Sequence, residues 1–151
     1  MNLMNVYEKI ENHLLAIYKI SPHDRETGNL VKCRAVKLTQ LYLLVYKHAN
    51  TSFIRSSHKI SLSELIYTAS GKLIAEPQSV PPALVLLILE EQLNQLANDP
   101  DNLLVGVENK LKEWLFERLE WHQQLCSGLP TLPELRWSDL PNELFGLKQE
   151  S

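Results

Sequence analysis

Apolar residues recur along most of this chain at steps of three and four, the period of an α-helix with one buried face. Leu3, Val6, Ile10, Leu14 and Ile17 set the first such run, which predicts a helix over Leu3–Lys19. Pro22 and Gly28 in "SPHDRETGN" interrupt it. The second run is the most regular. Val31, Ala35, Leu38, Tyr42, Val45 and Ala49 alternate steps of four and three, which predicts a helix over Leu30–Ala49 with a packing seam. Lys32, Lys37 and Lys47 lie off that seam, as does Leu44, with Arg34 at its edge.

The stretch "NTSFIRSSHKI" reads as a loop. Ser61 and Glu64 have the spacing of a capping box, and Ile60 and Leu65 that of a hydrophobic staple. A third helix is therefore expected over Leu62–Ala75, with Leu62, Leu65, Ile66, Ala69, Leu73 and Ile74 inward. Pro77, Pro81 and Pro82 separate it from a fourth, over Pro82–Ala97. That helix opens on "ALVLLIL", apolar on every side, the mark of a central, buried helix. After the turn "NDPDN", a long fifth helix is expected over Asn102–Cys126. It has an apolar stripe through Val107, Leu111, Trp114, Trp121 and Leu125 and an acidic face of Glu113, Glu117 and Glu120. Trp114 and Arg118, four apart, are spaced to stack.

Beyond Gly128 the composition changes to a Pro-rich strap with Pro130, Pro133 and Pro141. One short helical turn is expected around Asp139–Phe145. Leu132, Leu135, Trp137, Leu140 and Phe145 are too apolar for a free tail. The strap, residues 129–151, is expected to dock on the bundle of residues 1–128 or on a neighbouring subunit, with Leu135, Trp137, Leu140 and Phe145 as interface residues. No stretch alternates as a strand, and no Asn-Gly or Asp-Gly hairpin signal occurs. The expected fold class is all-α, an irregular bundle of about five helices.

At 151 residues, 44% hydrophobic and 22% charged, the chain suits one globular domain. Its longest apolar run, Ala83–Leu89, is far short of the ~20 residues that span a bilayer. Charged residues among the first nineteen argue against a leader or anchor, so a cytoplasmic location with no membrane partner is expected. Cys33 and Cys126 form no disulfide or metal framework and read as small buried hydrophobes.

The net charge of −3 hides an asymmetry. Residues 1–75 carry ten Lys or Arg against five Asp or Glu; residues 76–151 carry five against thirteen. The halves thus stand at +5 and −8, which sum to −3. An anionic partner for the basic half is one explanation. Attraction between the two halves, or between copies of the chain, is the other.

Catalytic patterns are missing from the sequence. His13, His23, His48, His58 and His122 include no pair at the spacing that puts two imidazoles on one helix face. Glu11 and His13, two apart, point in different directions. Ser57 precedes His58, but adjacency is not nucleophile–base geometry. There is no G-x-S-x-G, phosphate-binding loop or dinucleotide fingerprint. The carboxylates of the second half have the spacing of a solvated helix face. The expectation is a non-enzyme with no cofactor and no metal.

The basic half offers Arg25, Lys32, Arg34, Lys37, Lys47, Arg55, His58, Lys59 and Lys72 as candidate nucleic-acid-binding residues, with Tyr46, Phe53 and Tyr67 among them. Cations suit phosphates, and aromatic rings stack on unpaired bases. Arg55, Ser56, Ser57, His58 and Lys59 precede a helix start, whose free N–H groups and partial positive charge favour an anion. Solvated charge and core tyrosines, Tyr42 and Tyr67, are the plainer explanation of the same residues.

The stretch "KLTQLYLLVYKHANTSFIRSSHKISLSELIYTASGKLIAEP", Lys37–Pro77, resembles the helical small subunit of Cascade-type CRISPR effector complexes. The likeness lies in a helix with basic positions, an Arg/Ser/His/Lys loop and an S-L-x-x-L-I helix. It covers about a quarter of the chain closely and contains no catalytic motif. It implies a non-catalytic subunit sitting beside other subunits and copies of itself. Such a subunit guides single-stranded DNA or RNA backbone without reading sequence. Carried onto this chain, that role falls to Lys32, Lys37, Arg55, His58 and Lys59. The acidic second half departs from the pattern. A helical scaffold or adaptor without nucleic acid is the alternative, with the apolar strap as its docking element.

Overall fold

The computed structural model describes residues 2–21, 23–51, 57–125 and 132–141, and the backbone alone over 118–125. The fold is all-α. Six α-helices occur among the described residues: α1 (Leu3–Ile17), α2 (Arg25–Thr51), α3 (His58–Ser70), α4 (Pro82–Ile88), α5 (Glu90–Gln95) and α6 (Val105–Leu125). Single 3-10 turns stand at Pro77–Ser79, Leu96–Asn98 and Trp137–Asp139. No strand forms among the described residues.

Asn2 starts α1, its Oδ1 accepting from the backbone N–H of Met4 (3.1 Å) and Asn5 (3.3 Å). Leu3, Ile10 and Leu14 face inward as the spacing predicts. Tyr7 joins them, and Ile17 at the end of the stripe is exposed. α2 begins five residues earlier than the pattern predicts. Asp24 makes this possible, its carboxylate accepting from the Thr27 N–H at 3.2 Å and the Thr27 hydroxyl at 3.0 Å. A good cap thus outweighs the helix-weakening Gly28.

α2 is the central helix, packed against α1, α3, α5 and α6. Its buried residues Val31, Val36, Leu38, Gln40, Leu41 and Leu43 occupy nearly the whole circumference rather than one seam. The helix predicted to be central, the apolar one at Pro82, is peripheral and broken. It divides at Leu89 into α4 and α5, and while Val85 is buried, Leu84 and Leu87 are 45% and 65% exposed.

α3 also differs from its predicted start. Ser57, not Ser61, is its cap, with Ser57 Oγ accepting from the Ile60 N–H at 3.2 Å. Ser61 lies one turn inside, fully buried, and Glu64 turns outward to His48. Ile60 is exposed, so it does not staple to buried Leu65. Helix α3 ends at Gly71, whose φ of 75° suits glycine, with its N–H bonded to the Tyr67 carbonyl at 2.8 Å. Leu73 and Ala69, expected inward, are exposed, and so is Tyr67, expected in the core. Ser57→Ala is expected to cost about 1 kcal/mol of stability, the usual worth of a serine cap, read from urea unfolding.

The strap docks on its own chain over its described part. Leu135, Trp137 and Leu140 are buried in the common core. The Trp137 indole Nε1 donates to the Val80 carbonyl at 2.7 Å. An Arg34 guanidinium nitrogen donates to the Pro133 carbonyl and to the Tyr18 hydroxyl, both at 2.7 Å. The Tyr18 hydroxyl in turn lies 3.4 Å from Asp139 Oδ2. The short turn observed, a 3-10 turn at Trp137–Asp139, stands before the one expected around Asp139–Phe145, most of which lies outside the described residues. Phe145 lies outside the described residues, as do Arg55, Phe53 and Cys126, and the Trp114–Arg118 stack falls on side chains that are not described. Cys33 is half-buried, and burial pushes its thiol pKa up, as for a small hydrophobe.

Candidate functional site

The candidate cations separate into two groups. Arg34, Lys47 and Lys59 are held by groups of this chain. Lys47 Nζ lies 2.6 Å from Asp99 and 2.9 Å from Asp101. Lys59 Nζ lies 2.7 Å from Glu76. Arg34 fastens the strap as described. The ion pairs of Lys47 and Lys59 join the basic half to the acidic half, so part of the charge asymmetry is attraction within the molecule. Arg25, Lys32, Lys37 and Lys72 have no ion-pair partner among the described residues.

These four do not gather into one patch by helix geometry. Lys32 and Lys37, five residues apart on α2, point about 140° away from each other at 3.6 residues per turn. Arg25, seven residues before Lys32, shares its face of α2 to within about 20°, while Lys37 stands off that face and Lys72 follows α3. A continuous basic track along α2, which phosphate binding favours, is not formed.

The aromatic groups are better assembled. Tyr42 and Tyr46, one turn apart on α2, stack with ring centroids 6.1 Å apart. The His58 ring meets both edge-on, at 5.6 Å and 6.4 Å. His58 is the first residue of α3, so the rings sit at that helix's N-terminus beside Lys59. His48 Nε2 lies 2.7 Å from Glu64 Oε2 and ties the end of α2 to α3. No group of three or more metal-ligating side chains occurs among the described residues. No helix among them is long and apolar enough to cross a membrane.

The Lys47 cluster carries a pH consequence. Hydrogen bonding to Lys47, aided by the Asp101 backbone N–H, holds the Asp99 carboxyl below the usual carboxylate range. Hydrogen bonds to Asp99 and Asp101 raise the Lys47 pKa. Hydrogen bonds from Lys59, then from Gln78, lower the Glu76 pKa. A depressed carboxyl stabilises the fold above its unfolded pKa, and that stability is lost as pH falls through the folded value. Acidification below about pH 4 is therefore expected to lower the wild-type Tm more than that of Lys47→Met, measured as a melting profile against pH.

A second surface was misread from the sequence. Leu84 and Leu87 on α4 face solvent, and Glu90 and Glu91 follow them, also exposed. A groove of about 280 Å³ runs beside them, lined by Lys37, Ala83, Leu86, Leu87, Glu90 and Leu93 among others. The sequence did contain a signal. A run with apolar residues on every side has more apolar surface than one interior requires, and the acidic pair after it is a surface mark. Comparison with protein-family models, with curated proteins and with solved structures finds no match to this chain.

Proposed function

We propose that this chain is a non-catalytic helical subunit of a larger assembly, held there by the apolar face of α4. One observation carries the reading: a helix with apolar residues on all sides lies at the surface and leaves Leu84 and Leu87 uncovered. Exposed apolar area of this kind, rimmed by charged Lys37 and Glu90, has the character of a docking surface. The strap, read from the sequence as a docking element, is occupied within the chain through Leu135, Trp137 and Leu140. Affinity capture from the source cells tests the proposal. A partner retained at high salt by wild type and lost with Leu84→Asp/Leu87→Asp supports it. The absence of any partner that depends on this face contradicts it.

A second reading rests on the rings of Tyr42, Tyr46 and His58 beside Lys59. In it the chain touches single-stranded DNA or RNA backbone within a ribonucleoprotein, as the resemblance to Cascade-type small subunits implies. The internal pairing of Lys47 and Lys59 and the dispersal of Lys32 and Lys37 count against it. Salt-titrated binding of fluorescent single strands separates the two readings. Binding that falls steeply with salt and disappears in Arg55→Ala/Lys59→Ala favours the second.

A further inference from the structure

We infer that the partner of the α4 face is a second copy of this chain, which presents the exposed face of its α3. The inference rests on the docking role proposed above and names its occupant. Ile60 and Tyr67, seven residues apart, project from one side of α3, and each is about half exposed (52% and 53%). Exposed Lys72 follows, with no ion-pair partner among the described residues, and next to it Leu73 is 78% exposed. The opposing face has the same order with the opposite charge. Leu84 and Leu87 come first, then Glu90 and Glu91, which have no ion-pair partner among the described residues.

Tyr67 lies about 10 Å along α3 from Ile60, whereas Leu87 lies about 4.5 Å along α4 from Leu84, so the two faces share one apolar anchor point, Tyr67 against Leu87. Laid in the same direction with Tyr67 at the groove beside Leu87, the two faces set Lys72, five residues on, toward Glu90 and Glu91, three and four residues on. The reverse direction brings Glu64, three residues before Tyr67, to the acidic pair, like charge against like charge. Glu64, the acidic group within the α3 ridge, is paired with His48. The groove gives Tyr67 an apolar slot beside Leu86, Leu87 and Leu93, the setting in which a tyrosine acts as an interface anchor. Such a contact covers apolar surface on both faces and brings Lys72 of the basic half to Glu90 and Glu91 of the acidic half, which have no ion-pair partner among the described residues. The two faces differ, so the contact is heterologous. It closes into a small ring or continues as a chain according to the angle between copies.

Sedimentation velocity of the purified full chain over a concentration series tests this. Wild type is expected to show a sedimentation coefficient that rises with concentration. Leu87→Asp and Tyr67→Ala are expected to stay monomeric with unchanged helical circular dichroism, since both positions are exposed. Lys72→Glu and Glu91→Lys alone are each expected to weaken association about tenfold through like-charge contact, and mixing the two to restore it. A wild type that is monomeric at every concentration overturns the inference. So does association that persists in both Leu87→Asp and Tyr67→Ala. If the purified protein is monomeric while capture still yields a partner dependent on Leu87, the docking role stands and only the identity of the occupant falls.

Discussion

Leu38→Ala is expected to lower the unfolding free energy by about 2–5 kcal/mol, and Leu84→Ala to change it by less than about 0.5 kcal/mol. Both remove the same atoms from an apolar stretch of helix. Leu38 is fully buried in the middle of α2, the helix against which four others pack, so its removal leaves a cavity as well as losing burial. Leu84 gives up little on truncation because water already reaches it. A domain of this size has a total stability of about 5–15 kcal/mol, so the first change is a large fraction of the whole. Urea unfolding of the two variants in parallel reads the difference as a shift in midpoint. Similar losses in both would return α4 to the centre of the fold.

Trp137→Ala is expected to have an effect of the same order, about 3–5 kcal/mol. The indole is nearly fully buried and lies in one core with Val80, Leu135 and Leu140. Its removal also leaves the Val80 carbonyl without the indole N–H, a loss that adds to the cavity. The expected result is a lower melting temperature for the whole bundle and not for the strap alone. Trp137→Phe keeps most of the apolar volume and loses the hydrogen bond and part of the ring, so its cost is expected to be smaller, about 1–3 kcal/mol. If Trp137→Ala leaves the bundle's stability unchanged, the strap is not part of the core.

Helix-forming pattern was the most legible feature of the sequence. The stripe of α1, the existence of α2 and α3, the long final helix and the burial of Leu135, Trp137 and Leu140 all follow from spacing and composition. Boundaries were harder, because caps compete. Ser57 and Ser61 both precede apolar residues, and Ser61–Glu64 has the better local pattern. Tertiary contacts decide between them: Ser61 is needed inside, against the core, and Glu64 is drawn to His48. Which helix is central was also misread. A helix can be apolar all round because it is enclosed or because it meets something outside the chain, and sequence periodicity does not separate the two. α2 has the lower apolar content of the two and is nonetheless enclosed, with the Thr39 hydroxyl and the Gln40 amide nitrogen bonded in the interior and Gln40 Oε1 buried without a partner among the described residues. Gln40 Nε2 donates to Glu108 at 2.9 Å, and the Thr39 hydroxyl donates to the Ala35 carbonyl at 2.7 Å.

The candidate site was legible only in part. The rings of Tyr42, Tyr46 and His58 were not foreseen as a group, because a helix position and a loop position meet only once α3 folds back on α2. The basic residues were foreseen individually, but sequence counts charge without showing partners. Asp99 and Asp101 lie 52 and 54 residues beyond Lys47, and no local rule connects them.

The docking role of α4 requires Leu87 to be open to solvent in the folded chain. Labelling of a Leu87→Cys variant with a thiol reagent measures this directly, with wild type giving the background from the native cysteines. Labelling is expected at the rate of an exposed thiol in dilute native protein, and more slowly as concentration rises and the face is covered. Labelling only as fast as the protein unfolds would place Leu87 in the interior and contradict the account.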